Sequence, residues 1–458
     1  MTSSIIDHAL ATLPYTPLPT QLRVLHTAAA FAMDSLGEPN SVLVLNGYAG
    51  TGKTSLTGAL IKALDMAKKR VVILAPTGRA AKIASRLSAH KASTIHRRIF
   101  RPNPADPTGR SHLVAPNPCR DTLYIIDEAS LIGDMPGRSL LATLIRYVYS
   151  GPGCRMMLIG DEAQLPPVGQ ESSTAMLPER LRALGLDPIC TQLDIPLRQQ
   201  DNFGIVHNAT RVRLCLTHTR NEDSPLLEID NVGDVQRISS VELPDLLANS
   251  YATVGDEETI IITRSNMRAN RYNMAVRNMV MFAESPLERG DRVMVAKNDY
   301  FWAPKNRVGQ LIANGDMGRI TSVGHTEKMY GRYFCEVEME LDGGEILAAE
   351  VMLRSLAANG PAIPREEMER FGNRVMEEYE GEWSERMKAR DEDPYYNALQ
   401  LKYSYCVTAH KAQGGQWRHV YIDMSGIGAD AEGPEFYRWL YTALTRATDR
   451  VYLIDSSF

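Results

Sequence analysis

Cysteine is scarce and isolated. The 458 residues contain six, at positions 119, 154, 190, 215, 335 and 406, and no two form a C-x-x-C pair. That spacing argues against a disulfide framework or a zinc site, so a reducing compartment is expected. No apolar run approaches the roughly 18 residues that a membrane span needs, and the N-terminus lacks a basic segment followed by an apolar one. A cytoplasmic location is the expectation. Basic residues are not in excess either: 50 Lys and Arg stand against 55 Asp and Glu, a formal charge of −5. Affinity for a polyanion therefore has to come from a local groove, because bulk charge supplies none. Internal repeats and low-complexity tracts do not stand out.

What is present is an ordinary globular composition, 44% hydrophobic and 23% charged, on a chain too long for one core, so two or three domains are expected. From about 20 to 195, the strand-like runs SVLVLNG, VVILAPT, LYIIDE and MMLIGD alternate with amphipathic helical segments, the pattern of a parallel sheet. Each run ends in a polar or Gly-rich loop, where open α/β sheets place ligands. A second set starts with ETIIITRSN, breaks off, and resumes with YSYCVTAHKAQGGQWRHVYIDM and RVYLID. The interruption, about 287–400, opens with GDRVMVAKNDY and NGDMGRITSV, short strands with Gly turns that suggest a small β-barrel. It passes into the acidic, helix-prone PREEMERFGNRVMEEYEGEWSERMKARDEDP, read as a solvated helical arm and not as a binding element. Tyr300, Phe301 and Trp302 cluster in the barrel region and read as core or a partner site. A Pro- and Gly-rich insertion at 97–120 reads as a protruding hairpin.

The strongest chemical motif is GYAGTGKT, Gly47 to Thr54, placed between an apolar strand and a helical pattern. Gly47, Gly50 and Gly52 let backbone N–H groups of this loop turn toward phosphate oxygens. Lys53 supplies a cation and Thr54 a hydroxyl for Mg²⁺. In LYIIDEAS, Asp127 ends a strand and would meet the metal, while Glu128 beside it could orient and deprotonate an attacking water. LIGDEAQLPPVG repeats the arrangement, with Gln164 as a neutral group able to sense a γ-phosphate or its water and Asp161 helping to order the loop. Alone, Gln164 would read as a surface amide. Near the C-terminus, YRWLYTALTRATDRVYLI holds Arg446 among small and apolar residues, which implies a defined partner.

In order along the chain these motifs, together with TPLPTQ ending in Gln21, APTGRAAK at 75–82, STIH at 93–96, PLRQ with Arg198, TRSN at 263–266, TAHKAQG at 408–414 and TALTRA at 442–447, resemble the superfamily-1 helicases of the RecD/Dda-like branch. The resemblance covers nearly the whole chain. It implies two RecA-like P-loop domains with parallel sheets: 1–196 with a pin-like hairpin at about 97–120, then 197–286 with 401–458. The second would carry an inserted SH3-like β-barrel and extended arm at 287–400. It implies ATP and Mg²⁺ in the inter-domain cleft. There Gln21 would read the adenine and the loop with Thr51 and Ser55 would hold phosphates. Gln413 and Gly414 would lie on the nucleotide side, and Arg198 and Arg446 would act as arginine fingers when the cleft closes. For Arg446 a buried structural ion pair is the alternative.

The same resemblance implies DNA contacts at Pro76, Thr77, Arg79, Lys82, Thr94, His96, Thr263, Thr408, His410 and Lys411. Lys82 and His96 could equally be solvated surface or a helix cap. Phe100 could stack on a base, support the pin, or pack under the hairpin. The family activity is ATP-dependent 5′→3′ translocation on single-stranded DNA with unwinding of forked duplex, by a chain expected to be a monomer. Gly415 and Gln416 depart from the family wording where a ribose contact is usual. Two rival readings share the phosphate motifs: an ATP-gated nucleic-acid clamp that does not unwind, and a P-loop small-molecule kinase.

Overall fold

The computed structural model describes all residues except 1, 89, 104–111, 136–137, 197–202, 218–226, 230–232, 304–311, 429–430 and 457–458. Six strands form a parallel sheet in the order Asp187–Leu193, Ser41–Gly47, Arg155–Gly160, Thr122–Ile126, Arg70–Ala75, Ala92–Thr94. The runs are continuously apolar because both faces are covered. Leu43, Leu45, Leu123, Ile125, Met157 and Ile159 pack with the helices Thr2–Thr12, Pro19–Ala32 and Lys53–Met66. The alternating Val42, Val44, Tyr124, Ile126, Met156 and Leu158 pack on the other side with the helix Leu140–Tyr149. Phe100–Pro102 and His112–Val114 pair antiparallel, which makes the expected insertion a hairpin at its base.

A second parallel sheet follows, in the order Val235–Ile238, Ala447–Ile454, Trp417–Asp423, Thr259–Thr263, Cys406–Thr408. Its middle strands come from both sides of the interruption, as the two-part pattern in the sequence requires. One face, with Ile260, Ile262, Val420 and Leu453, packs with the helix Pro434–Leu444 and with Ala163 and Leu165 from the first sheet's loops. The other face, with Ile261, Tyr421 and Tyr452, continues into the barrel core at Val293, Val295 and Ile320. The two units therefore share packing and are not beads on a string.

The barrel is a five-stranded antiparallel sheet in the order Ile346–Met352, Arg332–Leu341, Met317–Met329, Arg292–Val295, Leu401–Tyr403. Its two edges meet through a bridge between Val351 and Leu399, where Leu399 N–H donates to Glu350 O at 2.7 Å. That closure removes the exposed edges. The last barrel strand runs to Tyr403, and the chain enters the second parallel sheet three residues later at Cys406. The arm helix Arg365–Glu377 lies against the barrel, with Phe371 and Val375 buried beside Phe334 and Met352, and the helix Trp383–Glu392 packs on it, Arg386 donating to Met376 O at 2.7 Å. All six cysteines are free thiols, and among the described residues no helix is long and apolar enough to cross a membrane.

Candidate functional site

The phosphate loop sits where the first sheet's strand Ser41–Gly47 gives way to the helix Lys53–Met66. Gly50 and Gly52 have φ of +75° and +84°, left-handed values that a side chain disfavours. Thr51 is fully buried, and its hydroxyl donates to Tyr48 O at 2.7 Å to fix the turn. Lys53 folds back: its Nζ donates to the carbonyls of Gly47 and Tyr48 and lies 3.8 Å from Asp161 Oδ2. Gly47 leaves room for that stem, since a Cβ there would come within 2.6 Å of Lys53 Cδ. Thr54 is half-buried and Ser55 exposed at the helix start. Gln21 is buried; it accepts from Leu18 N–H and donates to Thr51 O, both at 2.9 Å, which ties the preceding segment to the phosphate loop.

Asp127 and Glu128 follow the strand Thr122–Ile126. Glu128 adopts φ +51°, a strained conformation for a non-glycine residue, and its N–H donates to Asp127 Oδ1 at 3.0 Å. Burial, with the neighbouring Glu128 charge second, pushes the Asp127 carboxyl up to about 7, against an opposing pull from Lys53. Asp161, fully buried, accepts from Ala163 N–H and from the Gln164 amide at 3.5 Å. Gln164 Oε1 is buried with no partner. A buried orphan acceptor fits a water or hydroxyl that the protein alone does not supply. Among the described residues no group of three or more His, Cys, Asp or Glu could cage a metal. The donor set instead suits a Mg²⁺ held by phosphates with one or two protein oxygens, the part expected of Thr54 and Asp127 from the sequence.

The second sheet closes over this loop through one helix, Pro434–Leu444. Ala49 N–H donates to the Tyr441 hydroxyl at 2.8 Å, and that hydroxyl donates to Asp161 Oδ2 at 2.8 Å. Burial and the Asp161 charge hold the Tyr441 hydroxyl well above its ordinary pKa, so it stays a donor. Leu165 N–H donates to Thr442 Oγ1 at 2.8 Å, and Arg438 donates to the carbonyls of Glu162 and Gln164. Gln413 adds a bond to Leu165 O at 2.6 Å. From the helix Phe203–Leu214, Arg213 stacks on the Tyr48 ring at 3.9 Å. Sequence reasoning did not single out Arg438, Tyr441 or Thr442. The available signal was their spacing: 438, 441, 442 and 445 make one polar stripe on an otherwise apolar helix.

Arg446 is buried, and its guanidinium lies within the second unit, donating to Thr442 O, Gly415 O and Thr445 Oγ1 at 3.0 to 3.2 Å. None of these hydrogen-bond partners is a carboxylate. Arg198 lies outside the described residues.

The residues expected to grip a strand are spread over strand ends and short helices of both units. Pro76 and Thr77 end the strand Arg70–Ala75, and the Thr77 hydroxyl accepts from Ala80 N–H at 3.2 Å. Gly414, at φ +69°, turns directly over them: a Cβ there would be 3.2 Å from Ala80 Cβ and 3.4 Å from Thr77 Oγ1. Arg79 stacks on Trp417 at 3.9 Å, and burial lowers its pKa to about 10. Lys82 is exposed. Thr94 caps the helix Ile95–Ile99, accepting from Arg97 N–H, and His96 lies 5.6 Å from Phe100, ring to ring. Phe100 is half-buried at the hairpin base. Thr408 is buried at the start of the helix Ala409–Ala412, His410 is exposed, and Lys411 donates to Asn314 of the barrel. Thr263 differs from the rest: it is fully buried, and its hydroxyl donates to Asp423, which also holds Arg268. Trp302 donates to Asn397 O and packs against the barrel core, whereas Tyr300 and Phe301 beside it are exposed.

Similarity to known proteins agrees with this geometry. The AAA domain family matches residues 27–208, and the UvrD-like helicase C-terminal domain matches 403–454. The chain is 26% identical over 431 residues to an ATP-dependent RecD2 DNA helicase of Deinococcus radiodurans, covering 91% of this chain and 47% of that protein. It is 26% identical over 313 residues to the ATP-dependent DNA helicase dda of Enterobacteria phage T4, covering 64% of this chain and 66% of that one. The chain thus spans about half the length of the RecD2 relative. A Pif1 helicase from Bacteroides, solved with ADP-AlF3 and ssDNA, shares the fold at TM-score 0.50 and 16% identity, covering 97% of this chain and 93% of that one. Taken with the ordered motifs, the domain and sequence matches support a superfamily-1 helicase of the RecD/Dda/Pif1 type, and the solved Pif1 neighbour shares its fold.

Proposed function

We propose that the chain is an ATP-dependent DNA helicase that translocates 5′→3′ along single-stranded DNA and unwinds forked duplex. Its motor domains would be 1–196 and 197–286 with 401–458, and residues 287–400 would form the inserted barrel and arm. The observation that carries the reading is the Tyr441 bridge: one hydroxyl of the second unit holds both the phosphate-loop amide of Ala49 and Asp161, 3.8 Å from Lys53. Phosphate entering that loop has to displace or re-aim this contact, so occupancy and domain position are linked.

Within that reading, Lys53 leaves the loop carbonyls to meet the β- and γ-phosphates, and Thr54 and Asp127 would hold Mg²⁺. A bound magnesium ion would supply charge neutralisation on the phosphates. Glu128 takes the proton of the attacking water, and the orphaned Gln164 Oε1 accepts a hydrogen bond from that water. Arg446, with Arg198, offsets charge developing on the γ-phosphate as the cleft closes. Thr77 with Arg79 on one unit and Thr408 with Lys411 on the other then approach and separate in each cycle, one grip slipping. A monomer suffices, since both halves of the site lie in one chain, and free cysteines suit a reducing cytoplasm. The test is ATP turnover with and without single-stranded DNA, then strand displacement from forks bearing one tail. Turnover indifferent to DNA would overturn the motor; unwinding that requires a 3′ tail would reverse the direction; DNA-stimulated turnover without displacement would favour a clamp.

A further inference from the structure

The arm reads as acidic in composition, yet its charges are segregated. The hairpin of Met317–Met329 and Arg332–Leu341, the short helical turn Leu353–Ser355 and the arm helix Arg365–Glu377 enclose a pocket of about 870 Å³. Arg332, Arg354, Arg370 and Arg374 line it against one carboxylate, Glu367. Glu367 is engaged, 3.0 Å from Arg332 and 3.8 Å from Arg354. Arg370 and Arg374, four residues apart and so on one helix face, are exposed and have no carboxylate partner among the described residues. Glu366, Glu369 and Glu377 of the same helix do not line the pocket, so the acids that dominate the composition lie on its other sides.

Backbone geometry supports the cluster. Tyr330 and Gly331, with φ of +51° and +76°, form a two-residue hairpin turn between the paired Met329 and Arg332. A Cβ at Gly331 would meet Arg374 Nη1 at 2.7 Å, so that guanidinium lies directly against the turn. Flat groups accompany the charges. Arg332 lies 4.7 Å over Phe371, which is buried, while Tyr333 is 56% exposed at the mouth.

Resting on the motor reading above, we propose that this pocket is a second nucleic-acid contact, separate from the motor's own track, that takes the phosphodiester backbone on Arg354, Arg370 and Arg374 and stacks a base on Tyr333. Three guanidiniums spread over two elements match spaced phosphates, and an exposed ring at their rim suits any base.

The experiment uses the full chain and the double variant Arg370→Glu/Arg374→Glu, whose side chains are exposed and make no ion pair, with a thermal melt to check folding. Fluorescein-labelled single strands and a two-tailed fork are titrated over a range of KCl, and ATP turnover is measured at saturating single-stranded DNA. Expected are unchanged stimulated turnover, about tenfold weaker fork binding, and a salt slope lower by about 2, as for two lost phosphate contacts. Tyr333→Ala should weaken fork binding with the slope unchanged. Fork affinity and slope that match wild type would overturn the proposal. So would loss of binding to a polyglutamate peptide with DNA affinity intact, which would assign the pocket to an acidic peptide. Absence of DNA-stimulated turnover in the wild type would instead remove the motor reading, and the double variant's fork binding would still decide the pocket.

Discussion

Tyr441 and Asp161 share a 2.8 Å hydrogen bond across the cleft between the two parallel sheets, and the same hydroxyl accepts from the Ala49 amide of the phosphate loop. Tyr441→Phe keeps the ring's packing and removes only this bridge. Asp161 retains Ala163 N–H and the Gln164 amide as partners, so the fold should lose only about 1 kcal/mol. We expect DNA-stimulated ATP turnover to fall by about tenfold or more, while KM for ATP changes little, because the hydroxyl couples the units and does not grip the substrate. A steady-state titration with and without single-stranded DNA checks this; equal turnover would show the bridge to be mere packing.

Arg446 is held by carbonyls and a hydroxyl, with no carboxylate among its hydrogen-bond partners. If it leaves them for the γ-phosphate at closure, Arg446→Ala should cut turnover about 10³-fold while leaving binding of a fluorescent ATP analogue nearly intact. Arg446→Lys keeps charge but not the planar fork, so it should recover little of the rate. Loss of analogue binding in both variants would mark the residue as a structural support.

The contrast between these two residues shows what a linear chain discloses. The phosphate loop was legible because its eight residues are contiguous and their types follow from the backbone turn. The alternation of apolar runs gave both parallel sheets, since strands buried on both faces leave a continuous apolar record. Tyr441 was not legible, because its partners Ala49 and Asp161 lie 392 and 280 residues away. Thr263 sits in a motif that pointed to a strand contact, yet its hydroxyl serves Asp423, a pairing that local wording does not encode. The arm's basic face disappeared into an acidic average, since composition carries no phase around a helix.

Lys411 offers a pH test. Burial lowers its pKa to about 8, from 10.5, so between those values the folded chain binds fewer protons there than the unfolded chain. With that sign, its contribution to stability rises with pH across the window, as the penalty of a buried charge is relieved. Affinity for a phosphate backbone should move oppositely, weakening above pH 8 as the ammonium is lost. Lys411→Arg stays charged and should flatten that decline. Anisotropy of a labelled oligonucleotide from pH 7 to 9.5 checks it; an equally steep decline in Lys411→Arg would assign the effect to another group.

Gly414 joins the two candidate grips. Its φ of +69° already disfavours any side chain, and a Cβ would press on Ala80 at 3.2 Å and on the Thr77 hydroxyl at 3.4 Å. Gly414→Ala therefore strains the turn by about 1 kcal/mol and pushes the loop of the second unit away from the strand end that carries Thr77. Gln413, one residue earlier, holds Leu165 O from the same loop, so the displacement reaches the Gln164 side as well. Single-stranded DNA affinity and DNA stimulation of turnover should fall together, whereas ATP turnover without DNA should change least. The order of those effects is the informative part: a variant that lost basal turnover first would place Gly414 with the nucleotide, and one that lost DNA affinity alone would confine it to the track.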